Sequence, residues 1–386
     1  MGLIIESGYT SINKTGEELC GDNVAITKNG KYTTLVLADG LGSGVKANIL
    51  SILTSKILCT MMANEISMED CIETIISTLP VCKERGVAYS TFSAIHIDDD
   101  GKGYMFEFDN PEAIYYHDGK CQSFDRQMLE ICGKKVYKTE LNLVDGDLII
   151  TMSDGVPHSG VGMLLNFGWQ RKEIMEYLDR EIKPNMSAKC VACMLTSACN
   201  DLYLAKPGDD TTVAAIKFRD EVIVDMMVGP PVDKSSDDFY LQRFMAGDGK
   251  KVVCGGTSSQ IVARYLHEDI QTTLDFPDPE VPPIAYIKGI DVTTEGVLTI
   301  RKLLKLSEDY MSNSNLSPKH YEAKDGASLL ADMLFVKATH INFYVGQSVN
   351  VAHQGLPIDT TMKLKLIEKL AKNLQAMGKT VELNYD

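Results

Sequence analysis

The spacing of apolar and polar residues divides the first 220 residues into strands, then helices, then strands again. Residues 32–38 form an apolar, β-rich run that predicts a buried strand, and residues 45–63 carry apolar residues at helical spacing. The same criteria predict helices at 68–79, 170–182 and 186–200, and strands at 89–98, 103–109, 112–117, 147–152 and 211–218. Strands at both ends of a segment with helices between them favour an α+β layered fold.

Prolines and small polar residues predict where some of these elements end. Pro80 follows the helix predicted at 68–79 and is expected to end it, because proline cannot continue a helix. Asn110 and Pro111 separate two predicted strands, and we expect the strands on either side of them to pair as a hairpin.

The pattern changes near Asp220. Gly229, Pro230 and Pro231 interrupt any regular element, and a polar stretch follows them. Beyond that stretch lies the segment KVVCGG at 251–256. We predict helices at 258–266, 295–310, 326–334 and 361–377, and a strand at 340–345. The chain is therefore expected to contain two domains, residues 1–220 and a smaller α/β domain of unassigned role at residues 221–386.

Composition and charge exclude several classes of protein. The 386 residues are 44% hydrophobic and 24% charged, as in a folded globular protein, and carry a formal net charge of -15. Both predicted domains are acidic, so phosphate backbones would repel the chain and no nucleic-acid partner is expected. No unbroken apolar run reaches about 18 residues. No basic leader precedes an apolar core, which predicts a cytoplasmic protein without a membrane partner.

The ten cysteines do not suggest a disulfide framework, since many lie in apolar stretches where a thiol packs as a small hydrophobe. Cys190, Cys193 and Cys199 form the closest group. Their CxxC could bind zinc, but no second pair of cysteines or histidines follows at a suitable spacing. Packing on one helix face is therefore the favoured interpretation.

Aspartates follow apolar strands at three places in the first domain. Asp39 opens the segment DGLGSG, Asp154 lies in SDG, and the pair Asp209 and Asp210 opens DDTT, while Asp22 is a weaker fourth example. Each motif taken alone could be only a surface turn. Several carboxylates gathered at one site would repel each other unless cations neutralise them, and Mg²⁺ and Mn²⁺ prefer such oxygen ligands.

Two other catalytic motifs are incomplete. The GLGSG segment resembles a dinucleotide-binding loop, but Val45 occupies the position of its last small residue and no acidic residue lies about 20 residues further on. Ser43 lacks the glycine that a nucleophile elbow places two residues before its serine. His158 follows Pro157 in a predicted loop, where it could contact a phosphate or a leaving group, or remain solvated.

In the second domain, the sequence CGGTSS at residues 254–259 precedes a predicted helix. Glycines followed by hydroxyl residues at a helix N-terminus could bind an anion. The plainer interpretation is an N-cap, in which a serine or threonine oxygen accepts from the first turn of the helix.

The aspartate motifs together resemble the protein phosphatase 2C-type fold, and in particular the stage II sporulation protein E family of bacterial serine phosphatases. The chain supplies DGLGSGVKA from Asp39, SDG around Asp154 and DDTT from Asp209, in the order and strand contexts of that family. The resemblance covers about residues 1–220. It implies a sandwich of two antiparallel sheets flanked by helices, with a site for two Mn²⁺ or Mg²⁺ ions at one end.

The resemblance also implies roles for individual residues. Asp39 would bridge both ions, the Gly40 carbonyl would bind one of them, and Asp154 and Asp209 would bind the other. Asp210 is the alternative to Asp209 as the direct ligand, because the motif is a doublet.

Other roles concern water, phosphate and substrate. Asp22 would hold waters of the metal site, which suits a residue that tunes the ligand geometry. Lys14 is a weak candidate for contacting phosphate, since the chain lacks the clearly placed N-terminal arginine of some eukaryotic members. The implied reaction is hydrolysis of phosphoserine or phosphothreonine by a metal-activated water, without a covalent phosphoenzyme.

The implied partner is a phosphoprotein in bacterial signalling, and a homodimer is compatible with the sequence. The alternative function is a non-catalytic or gated signalling module that retains the phosphatase fold.

Overall fold

The computed structural model describes residues 3–78, 90–184, 186–272, 283–312, 325–348 and 360–385. The chain divides into two compact units, Met1–Asp220 and Glu221–Asp386. In chain order the first unit contains β1 (Leu3–Ile12), β2 (Asp22–Asn29), β3 (Tyr32–Gly40), α1 (Gly44–Ala63), α2 (Met68–Thr78), β4 (Ser90–Asp98), β5 (Lys102–Phe108), β6 (Ile114–His117), β7 (Lys120–Gln122), β8 (Gln127–Ile131), β9 (Lys134–Asn142), β10 (Leu148–Met152), α3 (Arg171–Glu181), α4 (Ala188–Leu202) and β11 (Thr211–Asp220).

Two antiparallel sheets form the centre of the first unit. One has the order β1-β11-β10-β6-β7 and the other the order β2-β3-β4-β5-β9-β8. Apolar side chains of both sheets, among them Leu35, Ile95 and Phe218, form one buried cluster. Helices α1 and α2 cover the outer face of the six-stranded sheet, and α4 packs against β1 and β11. This arrangement confirms the predicted α+β sandwich.

Strand β3 shows why an uninterrupted apolar run predicted a buried strand correctly. Successive side chains of a strand point to opposite faces of the sheet. Leu35 and Leu37 therefore pack in the cluster between the sheets, while Val36 and Ala38 pack in the cluster that contains α1 and α2. Both faces of β3 are covered, so neither face needs polar residues.

Helix α1 has an unusual distribution of polarity. Its buried face includes small and polar residues such as Ala47, Ser51 and Ser55, whereas the large apolar residues Val45 and Ile49 are exposed. By length and hydropathy alone α1 could cross a membrane, in contrast to the expectation from unbroken apolar runs. In the structure it packs along β2 and β3, and a core helix passes the same test.

The hairpin predicted around Asn110 and Pro111 is wrong. Strand β5 pairs with β4 and β9 in one sheet, whereas β6 pairs with β10 and β7 in the other. Asp109 adopts a left-handed conformation with φ 49°, and the buried Glu107 carboxylate accepts a hydrogen bond from the Ala113 amide at 2.7 Å. These two features accompany the crossing of the chain from one sheet to the other.

Other predicted elements lie within a few residues of those observed. Helix α2 is described as far as Thr78, and the predicted stop at Pro80 lies outside the described residues. Cys190, Cys193 and Cys199 are all buried on α4, and the Cys193 thiol lies 3.0 Å from the Thr10 hydroxyl. The packing interpretation of this cysteine group is therefore confirmed.

The second unit is a smaller α/β fold. In chain order it contains β12 (Ile223–Val228), α5 (Asp237–Ala246), β13 (Lys250–Cys254), α6 (Gly256–Leu266), β14 (Gln271–Thr272), β15 (Ala285–Tyr286), β16 (Val292–Thr294), α7 (Val297–Ser312), α8 (Gly326–Ala331), β17 (His340–Val345), α9 (Thr360–Ala376) and β18 (Thr380–Tyr385).

The sheet of the second unit has the order β14-β15-β16-β13-β12-β17-β18, and the five strands from β16 to β18 run parallel. Its first strand, β12, lies in the middle, and later strands add on both sides of it. This is the doubly wound arrangement, in which ligands bind outside the carboxyl ends of the strands.

The N-cap interpretation of the CGGTSS segment is wrong. The residue at the N-cap of α6 is Gly255, and no side chain caps the helix. The Ser259 hydroxyl donates to the Gly255 carbonyl at 2.9 Å instead of accepting from the first turn. The amide groups at the start of α6 are therefore left without a side-chain partner.

Candidate metal centre

The predicted aspartates come from the ends of strands in both sheets of the first unit. The pairing of β2 with β3 places Asp22 opposite Asp39. In the other sheet, Asp154 follows the end of β10, and Asp209 and Asp210 directly precede β11. Because β10 and β11 are antiparallel neighbours, the end of one strand meets the start of the other. The fold therefore brings together all five aspartates that the sequence singled out.

Gly40 allows the backbone around Asp39 to lie close to α1. A Cβ atom at residue 40 would collide with the carbonyl oxygen of Ala47 in the first turns of that helix. The Gly40 amide donates to the Gly21 carbonyl at 3.2 Å, and the Ser90 hydroxyl donates to the Asp39 carbonyl at 2.7 Å. Hydrogen bonds from both neighbouring strands therefore hold the backbone that presents the Asp39 carboxylate.

Reciprocal hydrogen bonds hold the loop that carries Asp154. The Ser153 amide donates to the Thr212 carbonyl at 2.9 Å, and the Thr212 amide donates to the Ser153 hydroxyl at 2.9 Å. The buried Tyr203 hydroxyl donates to the Gly155 carbonyl at 2.7 Å. Asp154 therefore lies between two anchored residues, although its own side chain is exposed.

Asp209 and Asp210 lie in different environments. Asp209 is half-buried, and its Oδ1 lies 3.8 Å from the Nζ of Lys14. Asp210 is buried, and its Oδ1 accepts a hydrogen bond from the Lys14 amide at 3.0 Å. The Lys14 side chain thus lies beside a predicted metal ligand, at the edge of the carboxylate group.

His158 lies closer to the carboxylates than the sequence indicated. Asp154, His158 and Asp209 each offer one possible ligand atom, and these three atoms all lie within 4.8 Å of one another. The His158 Nδ1 is 3.8 Å from the Asp154 Oδ2, and its amide donates to the Asp154 carbonyl. His158 follows Asp154 by four residues in a tight turn, and this spacing was the sequence signal that the two side chains lie close together.

The carboxylates strongly perturb one another. Burial raises the pKa of Asp39 to about 9, and the charges of Asp22, Asp154 and Asp209 act in the same direction. Burial also raises the pKa of Asp22 to about 7, and the charges of Asp210 and Asp154 act in the same direction. The ionised group is therefore electrostatically unfavourable without a nearby cation.

Burial is also the main cause of the raised pKa of Asp209, and the charge of Asp154 adds to it. Lys14 lowers the pKa of Asp209 and so compensates part of that repulsion.

Buried oxygens without partners indicate that the residues fit a hydrated metal ion. Among the described residues, both carboxylate oxygens of Asp22 and the Oδ2 of Asp210 are buried without a hydrogen-bond partner. Buried acceptors of this kind are rare unless a water or an ion satisfies them. The donors are hard oxygens, which suit Mg²⁺ or Mn²⁺. Burial raises the pKa of the neighbouring Cys20 thiol and so favours its neutral form.

A comparison with protein families identifies the first unit. Residues 29–219 match the family model of stage II sporulation protein E. The first unit belongs to the stage II sporulation protein E family. Asp39, Asp154 and Asp209 lie within the matched residues, whereas Asp22 precedes them. No curated protein matches the sequence.

Solved structures of similar fold include two from Bacillus subtilis SpoIIE. Its phosphatase domain, in a crystal form without domain swapping, is 20% identical, with a TM-score of 0.45, covering 56% of this chain and 93% of that one. Its PP2C phosphatase domain with a fragment of the regulatory domain is 20% identical, with a TM-score of 0.49. The match covers 56% of this chain and 64% of that one. The RsbU and RsbW domains of a Mycobacterium tuberculosis protein are 16% identical, with a TM-score of 0.46. The match covers 64% of this chain and 70% of that one.

Family membership confirms the resemblance that the aspartate motifs indicated. The SpoIIE family consists of protein phosphatase 2C-type serine/threonine phosphatases, which are metal-dependent as a class. The two-sheet sandwich of the first unit is the fold expected for that class.

Proposed function

We propose that the first unit is a metal-dependent phosphatase that hydrolyses phosphoserine or phosphothreonine in a protein. The observation that carries this proposal is a group of aspartates from two sheets that includes buried oxygens without partners. Such a group fits divalent cations, and it lies in a SpoIIE-family domain. Manganese and magnesium are both consistent with the oxygen ligands.

The ligand roles in this proposal follow the resemblance. Asp39 would contact two ions, the Gly40 carbonyl would contact one, and Asp154 and Asp209 would contact the other. The half-exposed position of Asp209 supports its choice over the buried Asp210 as the direct ligand. When bound, two such ions lower the pKa of a water and stabilise negative charge on phosphoryl oxygens.

The remaining residues would position water and balance charge. Asp22 and Asp210 present buried oxygens that can accept hydrogen bonds from waters of the site. Lys14 offsets part of the charge of Asp209, so it is poorly placed to contact phosphate independently. His158, beside Asp154, is exposed and could exchange a proton with solvent or a leaving group.

The substrate is proposed to be a phosphoprotein of bacterial signalling in the cytoplasm, and a homodimer is compatible with this role. A non-catalytic module is the less favoured alternative, because it would be expected to lack a metal-binding aspartate. Asp22, Asp39, Asp154 and Asp209 are all present.

The first test compares hydrolysis of p-nitrophenyl phosphate with Mn²⁺ by the wild type and by Asp39→Asn. Replacement of a metal ligand is expected to lower the rate at least about 100-fold, since even outer-shell changes cost up to that factor. The matched control is Asp100→Asn, an identical change at an exposed turn remote from the carboxylates, which should retain the wild-type rate. Equal rates for Asp39→Asn and the wild type, or a rate independent of Mn²⁺, would sink the proposal.

The same assay separates the two members of the aspartate doublet. Asp209→Asn is expected to raise the Mn²⁺ concentration needed for half-maximal rate more than Asp210→Asn does. The opposite order would transfer the direct ligand role to Asp210.

A further inference from the structure

We propose that the second unit binds a phosphate-bearing small molecule where the N-termini of α6 and α7 meet. The site is built from two strand-to-helix turns, β13 to α6 and β16 to α7. Both turns lie at the carboxyl edge of the parallel sheet, because β13 and β16 are parallel neighbours. This site is independent of the phosphatase proposed for the first unit.

The two turns lie in direct contact. Cys254 at the end of β13 is in register with Thr294 at the end of β16, and the Gly255 amide donates to the Thr294 carbonyl at 2.9 Å. A Cβ atom built on Gly296 would lie 3.4 Å from the Cα of Gly255. Glycine at these positions lets the backbones approach closely, so one small anion could reach both helix ends.

Three amide groups in the first turn of each helix have no acceptor among the described residues. The first backbone hydrogen bonds are from Ser259 to the Gly255 carbonyl in α6 and from Ile300 to the Gly296 carbonyl in α7. In the described part of the chain, the amides of the three residues before Ser259 and of the three before Ile300 make no hydrogen bond to a backbone or side-chain acceptor. Free amides and the helix dipole together favour an anion at such a position.

The buried hydroxyl of Ser258 supports a ligand site independently of the helix N-termini. Ser258 is fully buried, and its Oγ has no hydrogen-bond partner among the described residues. This Oγ is directed back at the turn, 3.4 Å from the position that a Cβ atom of residue 255 would occupy. Its neighbour Ser259 has a partner, the Gly255 carbonyl.

The α7 turn repeats this feature. Thr299 is the third residue of its helix, as Ser258 is of α6, and its Oγ1 is also buried without a partner. Two buried hydroxyls without partners at equivalent positions of touching turns are the groups that a bound phosphate could satisfy.

Space and charge limit the kind of ligand. A Cβ atom at Gly256 would meet nothing within 4 Å, so there is room beside the first turn of α6. Neither α6 nor α7 has an acidic residue in its first turn. Glu295 is exposed, and its carboxylate accepts from the Gly296 amide at 2.6 Å. This carboxylate repels phosphate beside Gly296, so the phosphate is placed towards the start of α6. A ligand hydroxyl could donate to Glu295, which points to a phosphate monoester with hydroxyl groups.

The test uses the full chain labelled with ¹⁵N at glycine, in a metal-free buffer that contains EDTA. Amide resonances of Gly255, Gly256 and Gly296, assigned by single glycine-to-alanine variants, are followed during titration with inorganic phosphate or adenosine 5′-monophosphate. We expect these three resonances to shift with a saturable dependence on the probe. A shift with the nucleotide supports the ester, and a shift with phosphate alone supports inorganic phosphate as the ligand.

Gly256→Glu places a carboxylate at the first position of α6, where there is space for it and where an acid stabilises a helix. It should weaken binding of the probe roughly tenfold or more, because charge-assisted hydrogen bonds are lost. The matched control Gln260→Glu adds the same charge at an exposed position of α6 and should change the affinity less than about twofold. Absence of any shift with both probes, or an unchanged affinity in Gly256→Glu, overturns the proposal.

Discussion

At the scale of single residues, the environment of an aspartate decides its chemistry more than its motif does. Asp209 and Asp210 are adjacent in the sequence, yet one is half-exposed beside a lysine side chain and the other is buried. The sequence showed that carboxylates follow strands, because apolar runs and glycines are local signals. It could not show that both oxygens of Asp22 lack partners, since that depends on strands brought together by the fold.

A buried histidine far from the aspartate motifs illustrates the same dependence on environment. His96 stacks on Tyr32 with ring centroids 4.8 Å apart, and the tilted ring of Tyr104 lies 5.3 Å away. The His96 Nδ1 lies 2.8 Å from the Thr34 hydroxyl. Burial lowers its pKa below the ordinary value, although the charges of nearby acids oppose the shift.

His96 should make the stability of the first unit depend on pH. Its folded-state pKa is lower than its unfolded-state pKa, so the unfolded chain takes up the proton first as the pH falls. The raised pKa values of Asp22 and Asp39 act in the opposite direction over this range, so the prediction concerns the difference between two proteins. Relative to His96→Phe, which keeps an aromatic ring but cannot titrate, we expect the wild type to lose free energy of unfolding between about pH 7 and about pH 5. Urea unfolding at each pH measures both slopes.

The control for this prediction is His267→Asn, which removes an exposed histidine from the second unit and should leave the slope of the first unit unchanged. Parallel slopes for the wild type and His96→Phe would contradict a role for this ring in acid sensitivity.

At the scale of elements, the close approach of β3 and α1 depends on one glycine. A side chain at Gly40 has no space because the Ala47 carbonyl occupies it. Gly40→Ala is therefore expected to lower the free energy of unfolding by roughly 1–3 kcal/mol, as overpacking does elsewhere. Chemical denaturation followed by far-ultraviolet circular dichroism measures the change.

Gly208→Ala is the matched variant for this test, because its Cβ atom would meet Tyr203 at 3.6 Å, an ordinary contact distance. It should cost clearly less than Gly40→Ala. Equal losses of stability would contradict the claim that the contact with the Ala47 carbonyl determines the effect.

Sequence patterns predicted elements better than their pairing. Strand β3 and helix α1 were predicted because each is a continuous stretch whose composition favours one element, a β-rich apolar run in β3 and helix-favouring Ala, Leu and Met in α1. The hairpin between β5 and β6 was wrong because the deciding contacts, such as that of Glu107 with Ala113, involve a buried side chain whose partner is not visible in a hydropathy pattern. The cap of α6 was also predicted wrongly. The N-cap residue is Gly255, and the expected serine or threonine hydroxyl does not cap the helix.

At the scale of the whole molecule, each unit has hydrophobic clusters of its own. The described clusters of the first unit contain only residues from Val24 to Phe218, and that of the second contains residues from Met227 to Ile287. A buried core is the main requirement for independent folding of a domain of this size.

Residues 1–220 and 221–386 should therefore each fold as separate fragments. We expect each fragment to unfold cooperatively on heating, as followed by circular dichroism, and the first fragment to gain thermal stability when Mn²⁺ is added. Non-cooperative melting of a fragment would show that its fold depends on the rest of the chain. The control is the second fragment with Mn²⁺, whose melting temperature should not change.

The four aspartates proposed to form the metal site come from two different sheets, which has a mechanical consequence. Asp22 and Asp39 belong to one sheet, and Asp154 and Asp209 adjoin the other, so their repulsion acts across the interface between the sheets. If ions bind as proposed, they join the sheets at that end. Their removal breaks this link and leaves carboxyl groups that repel one another until some take up protons, as the raised pKa of Asp39 indicates. The end of the domain that carries the aspartates would be rigid when metal is bound. When metal is removed, that end would open locally before the whole domain unfolds.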